Sequence, residues 1–172
     1  KKDLSQDQMS RGMLGILGGN CTDAQIGAFL VALSIKGETV DEVVGAANSM
    51  RQLSVKVPIE SSNLVDTCGT GGTAIGVFNV STTSSFVASD CGAKVAKHGN
   101  RTVTRKSGSA DLLEQAGVNL ALKPEEVAKC IDEIGLGFMF APSHHSAMKH
   151  VVGPRKELSL IHISEPTRLD DI

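Results

Sequence analysis

Asp66-Thr67-Cys68-Gly69-Thr70-Gly71-Gly72-Thr73 follows the apolar pair Leu64-Val65 and precedes Phe78-Asn79-Val80-Ser81-Thr82, and the fold is decided by how this stretch is read. A short apolar run, a glycine-rich turn and a hydroxyl-rich helix start are the strand, loop and helix of an α/β layer with parallel strands. Three glycines in the four positions 69–72 let backbone N–H groups turn inward and approach an anion closely. A helix N-terminus beyond them adds its dipole and unpaired donors. Glycines also serve plain tight turns, and on this segment alone both readings stand. No Gly-Lys-Ser/Thr follows and the glycines lack the G-x-G-x-x-G spacing, so neither a Walker loop nor a dinucleotide fingerprint is present.

Working downstream, strands are expected at 64–67, 93–96 and 118–122, with crossover helices over 81–90 (Phe86 and Val87 inward) and 108–115. A further helix starts at Pro124-Glu125-Glu126 and has Val127, Cys130, Ile131 and Ile134 as its apolar face. Upstream, Ser5…Gln8, Thr22…Gln25 and Thr39…Glu42 are capping-box patterns, each ahead of an apolar stripe. The stripes are Met9, Met13, Ile16 and Leu17; Ile26, Phe29, Leu30 and Leu33; and Val43, Ala47 and Met50. A helical domain over 1–62 therefore precedes an α/β domain over 63–158, with a linker and hinge at 57–63.

The 172 residues are 41% hydrophobic and 21% charged, enough to bury a core, which excludes fibrous and disordered classes. A net charge of −2 gives no global field for nucleic acid or an anionic membrane. Trp and Tyr are absent, which removes most platforms for stacking bases. Apolar runs are far shorter than the roughly 20 residues of a membrane span, and no leader is seen, so a cytoplasmic protein without membrane or nucleic-acid partners is expected. The four cysteines have no C-x-x-C spacing and read as reduced thiols.

A second segment, Lys94 to Ser109, carries Lys97, His98, Arg101, Arg105 and Lys106 with no acid between Asp90 and Asp111. Following a strand, it lies at the same carboxyl edge as the glycine loop, where α/β proteins bind ligands. Its interleaved hydroxyls and turn glycines suit a polyphosphate better than a solvated basic loop. A third cluster, Phe138-Met139-Phe140-Ala141-Pro142-Ser143-His144-His145, is either plain core or one wall of a pocket for a flat molecule, with Arg155 available to pair with a carboxylate. No nucleophile elbow is found, and adjacent histidines do not chelate one metal.

Taken together, Gly69-Thr70-Gly71-Gly72, Phe78-Asn79-Val80-Ser81-Thr82, Lys97-His98-Gly99-Asn100-Arg101, Lys106-Ser107-Gly108-Ser109-Ala110-Asp111 and Phe140-Ala141-Pro142 with His145 resemble, in order and spacing, the anthranilate phosphoribosyltransferase family. Thr22-Asp23-Ala24-Gln25 and Lys36-Gly37-Glu38-Thr39 are similar to its helical domain, and the resemblance runs from about Leu4 to Leu158.

The resemblance implies a nucleoside phosphorylase/phosphoribosyltransferase-like fold, and transfer of the 5-phosphoribosyl group of phosphoribosyl pyrophosphate to the amine of anthranilate, with Mg²⁺ and release of pyrophosphate. It implies that Gly69 touches both substrates, and that Gly72, Thr73, Val77, Asn79, Val80, Ser81, Thr82, Lys97, His98, Gly99, Asn100, Arg101, Thr102, Val103, Thr104, Arg105 and Ser109 line phosphoribosyl pyrophosphate. Ser81 would ligate magnesium, Asn100 and Arg155 would hold anthranilate with His145 in the substrate site, and Lys97, Asn79 and Ser81 would carry catalysis. A homodimer through the N-terminal helices is implied as well.

Thr73 stands where the family usually has Asp, and Val77 where it has a hydroxyl. The tail 159–172 matches nothing in the family, whose further sheet and magnesium-binding Asp-Glu pair are not found, and Lys1 is no initiator. A truncated chain with a foreign tail, weak or inactive alone, is expected. The alternatives are a pyrimidine nucleoside phosphorylase-like enzyme, told apart by phosphorolysis, a non-catalytic anion- or nucleic-acid-binding paralogue, told apart by a steep salt dependence, and a structural fragment whose helices dimerise.

Overall fold

Each of the three capping boxes closes as its spacing predicts. In this computed structural model, which describes residues 2–61, 63–68, 78–101 and 108–158, Ser5, Thr22 and Thr39 accept from the backbone N–H three residues on. Gln8, Gln25 and Glu42 return the bond. Helices α1 (Gln6–Leu17), α2 (Asp23–Lys36) and α3 (Val40–Leu53) result. Gly37, at φ +80°, stops α2.

Of the described residues, those up to Ser54 and 145–158 make one unit, and Val55–His144 the other. In the helical unit Ile16, Leu17 and Ile26 are buried with Val151 of α8 (Lys149–Glu157), and Met13, Phe29, Leu30 and Met50 pack against them. Helix α8, which lies within the 63–158 domain expected from the sequence, clusters with the N-terminal helices.

Of the stripe expected on α3, Met50 packs inward and the other two residues do not. Val43 is 55% exposed and Ala47 is exposed, whereas Glu42, Gly45 and Ser49 are buried. Close approach of α1 decides this. A Cβ on Gly45 would collide with the Gln6 carbonyl and touch Met9 Cβ, and Ser49 Oγ meets Ser10 Oγ at 2.8 Å. Small and polar groups occupy the contact because there is no room for valine. Glu42 is tolerated there since Leu4 N–H, Thr39 N–H and Lys36 Nζ all donate to it, at 2.8–2.9 Å.

The second unit is a three-stranded parallel sheet in the order β1 (Leu64–Val65), β2 (Lys94–Gly99), β3 (Leu136–Phe140). Leu64 is opposite Lys94, and Val95 to Gly99 run opposite Leu136 to Phe140. Helix α4 (Val80–Asp90) connects β1 to β2. Helices α5 (Ser109–Gln115) and α6 (Pro124–Ile134) connect β2 to β3, and the short α7 (Ala141–His144) follows.

Three expectations are corrected here. Residues 118–122 form no strand: Val118 N–H closes the end of α5 on Leu113 O, and Asn119 Oδ1 takes the Ala121 N–H, which spends the backbone on turns. The third strand is instead 136–140, the aromatic run read as a pocket wall. Phe86 and Val87 are 47% and 58% exposed, because α4 buries its hydroxyl side through Thr82 and Ser85, the latter donating to Thr82 O at 2.7 Å. Ile134 is also exposed: Gly135 turns left-handed at φ +76°, and α6 buries Val127, Ala128 and Ile131 instead. Burying Val127 and Ile131 is worth about 1.5–3 kcal/mol each.

Candidate functional site

Parallel strands end at one edge, and β1 and β2 deliver their following residues to the same place. Asp66 joins them: its Oδ1 accepts the Cys68 N–H at 2.9 Å and the His98 N–H at 3.2 Å. Thr67 Oγ1 donates to the Ser81 carbonyl at 2.8 Å, tying the end of β1 to the first turn of α4.

Asn79 caps that turn, accepting through Oδ1 from Thr82 N–H at 3.3 Å, Thr82 Oγ1 at 2.8 Å and Ser81 Oγ at 3.4 Å. Of the first-turn residues Val80, Ser81 and Thr82, the last is buried and Ser81 half-buried. A hydroxyl oxygen at Ser81 is a hard donor, compatible with a magnesium ion that keeps most of its ligands as water and phosphate oxygens.

Lys97 lies on β2 with 2% of its surface exposed. Burial pushes its ammonium below the ordinary lysine value, while the nearby Asp66 and Cys68 pull the other way. A buried cation in the same unit as a helix N-terminus is a setting for polyanion recognition. His98 is half-buried and Gly99 buried. A Cβ on Gly99 would stand 2.8 Å from Phe138 Cε2 and 3.1 Å from Ser109 Cβ, so glycine is required where β2 meets α5.

Asn100 holds the next turn, its Oδ1 taking the Arg101 N–H at 2.8 Å and its carbonyl the Ala110 N–H at 3.3 Å. The basic segment is not free of acids in space. Arg101 is engaged by Glu114 at 2.6 and 2.8 Å and by Asp111 at 3.5 Å, and its guanidinium lies 5.8 Å from the centroid of the Phe140 ring. Lys94 pairs with Asp132. These acids come from α5 and α6, and a count along the strand misses them.

The structure therefore brings together Asn79, Val80, Ser81, Thr82, Lys97, His98, Gly99, Asn100, Arg101 and Ser109 in one unit. His145 and Arg155 belong to the helical unit, His145 lining a small hollow with Leu17, Met50, Leu53, Ala147 and Met148. Gly69, Gly72, Thr73 and Val77, together with Thr102, Val103, Thr104 and Arg105, lie outside the described residues, as does the tail. Asp66 and Thr67 were given no role by sequence reasoning. The signal available was their place between the strand and the first glycine.

Two family models match the chain: a glycosyl transferase family helical bundle domain over 1–54 and a glycosyl transferase family a/b domain over 61–164. Among curated relatives, the anthranilate phosphoribosyltransferase of Ectopseudomonas mendocina is 61% identical over 158 residues, covering 92% of this chain and 45% of that protein. That of Saccharophagus degradans is 60% identical over 159 residues, covering 92% and 47%. Among solved structures, anthranilate phosphoribosyltransferase from Thermus thermophilus superposes with a TM-score of 0.86 at 38% identity, over 96% of this chain and 51% of that one. The Saccharomyces cerevisiae protein in complex with PRPP and Mg gives 0.80 at 28%, over 95% and 50%. The chain spans about half the length of the curated relatives it matches. Among the described residues no helix is long and apolar enough to cross a membrane.

Proposed function

Starting from the fact that the chain belongs to the glycosyl transferase family, with both its helical bundle and its a/b domain, we propose that it carries the phosphoribosyl pyrophosphate half of an anthranilate phosphoribosyltransferase. The reaction is transfer of the 5-phosphoribosyl group to the amine of anthranilate with loss of pyrophosphate. The observation that carries this reading is the buried Lys97 on β2 in one unit with the Asn79-capped N-terminus of α4.

An aryl amine is neutral at pH 7 and needs no strong general base. Catalysis then consists of holding two substrates in line and stabilising the charge on departing pyrophosphate. Lys97 supplies a fixed cation, the first turn of α4 its dipole and backbone donors, and Asn79 and Ser81 their polar side chains at that turn. Ser81 Oγ would hold magnesium, which when bound neutralises pyrophosphate charge. Gly69, Gly72, Thr73, Val77 and the 102–105 segment would complete the phosphoribosyl site, with Asn100, His145 and Arg155 on the anthranilate side.

The exposed Ile35, Val40 and Val43 on the N-terminal helices support a homodimer through that face. A cytoplasmic setting follows from the proposed reaction, and domains over 1–62 and 63–158 remain our division of the sequence.

Calorimetric titration of the 172-residue chain with phosphoribosyl pyrophosphate and Mg²⁺ tests the reading, alongside loss of anthranilate fluorescence. Saturable binding that Lys97→Met weakens on the order of 10²-fold, with weak turnover alone, is expected. Absence of binding, or phosphorolysis of a pyrimidine nucleoside instead, would overturn it.

A further inference from the structure

We propose that Asp66, Cys68 and His98 form a binding site for one transition-metal dication of the zinc class, separate from the hard-oxygen donor Ser81. One ligand atom from each side chain, a carboxylate oxygen, a sulfur and an imidazole nitrogen, lies within 4.8 Å of the other two. This donor set is chemically selective. Thiolate and imidazole suit zinc, cobalt or copper, whereas magnesium and calcium take oxygen ligands almost exclusively. Three protein ligands leave a fourth tetrahedral position for water or an exogenous group.

The backbone fixes the three positions before any metal arrives. Asp66 Oδ1 accepts from the main-chain N–H of both other members, Cys68 at 2.9 Å and His98 at 3.2 Å, so the turn after β1 is locked against β2. Asp66 and Cys68 are exposed, whereas His98 is half-buried and its Nε2 is shielded from solvent, so an ion reaches the cluster from the carboxylate and thiol side. Donors about 2.0 and 2.3 Å from one tetrahedral ion sit about 3.5 Å apart. Closing the triangle therefore needs side-chain movement of roughly 1 Å, available at an exposed cysteine. Lys97, whose charge interacts with Asp66 and Cys68, opposes the incoming cation.

The proposal rests on ligand geometry, and His98 is shared with the proposed phosphoribosyl pyrophosphate lining, so the metal is titrated without that substrate. Its test is titration of the reduced chain with Co²⁺ in chelator-free buffer, followed by displacement with Zn²⁺. One equivalent of Co²⁺ should produce a thiolate-to-cobalt charge-transfer band that Zn²⁺ abolishes. Cys68→Ser should remove the band and Cys130→Ser keep it. Asp66→Asn and His98→Gln should each weaken binding at least 10-fold, with far-ultraviolet circular dichroism verifying the fold of every variant. No saturable binding, or a band that survives Cys68→Ser, would overturn the assignment, as would Asp66→Asn and His98→Gln both binding like the parent.

Discussion

Both terminal nitrogens of Arg101 donate to the carboxylate of Glu114, at 2.6 and 2.8 Å, joining the residues after β2 to α5. The pair raises the guanidinium pKa and lowers that of the carboxyl. It also neutralises the described cation closest in sequence to Arg105 and Lys106. Each side chain is about half exposed, at 47% and 48%, so the pair contributes little to stability. Glu114→Gln should shift Tm by less than about 3 °C. It should tighten pyrophosphate binding roughly 2–5-fold at low ionic strength, an effect that fades above about 0.5 M salt. Unchanged affinity would make Arg101 a clamp on α5 and remove it from the anion site.

Asn79 is given two duties, and they separate by substitution. As the N-cap of α4 it accepts from Thr82 N–H and Oγ1. As a proposed ligand contact it supplies a neutral amide. Asn79→Ala should cost about 0.5–2 kcal/mol of stability. Asn79→Asp keeps the cap and should hold stability near that of the parent, yet weaken phosphoribosyl pyrophosphate binding by roughly 10-fold or more through like-charge repulsion. Thermal melts and calorimetry on the two variants read the two duties independently. Equal binding by Asn79→Asp and the parent would refute the ligand role.

The helix starts were legible because a capping box is a local contract: Ser5, Thr22 and Thr39 each find their partner three residues away, whatever the tertiary fold. Pairing across the sheet carries no such marker. Phe138-Met139-Phe140 reads as a pocket wall because its β role depends on a neighbour 41 residues upstream, with His98 opposite Met139. The inward faces of α3 and α4 escaped for a related reason. Glu42, Gly45, Ser49, Thr82 and Ser85 are buried because partners satisfy or closely approach them, and hydrophobic periodicity does not record that. In the candidate site, residue types pointed to Lys97 and the α4 turn. The acids holding Arg101 lie 10 and 13 residues beyond it: Asp111 marks the end of the acid-free run and Glu114 lies past it, and the helix α5 brings both back to the arginine.

Glycine at two sheet positions is enforced by packing. At Gly137 a Cβ would meet Ile131 Cγ1 at 2.6 Å and the Val127 carbonyl oxygen at 2.8 Å, and at Gly99 it would meet the Phe138 ring. Alanine at either should destabilise the α/β unit by about 1–3 kcal/mol. Gly137→Ala should cost more, since a helix backbone yields less than a ring edge. Urea midpoints of the two variants check the order, and equal midpoints with the parent would refute the close packing.

Glu42 gives the helical unit an acid limit. Its carboxyl is held at about 2 by hydrogen bonds from Lys36, Leu4 N–H and Thr39 N–H. Because the folded value is depressed, the unfolded chain binds more protons between the ordinary value of 4.5 and about 2. The stabilisation is thus present above 4.5 and lost as pH falls through that window. Lys36 works in the opposite sense: its raised value keeps its share below 10.5 and loses it as pH climbs beyond. Glu42→Gln should lower Tm at pH 7 by roughly 5–10 °C, and its melting curve should then be nearly flat between about pH 4.5 and 2.5, where the parent falls toward it. Parallel pH profiles for parent and variant would show that some other carboxylate sets the acid limit.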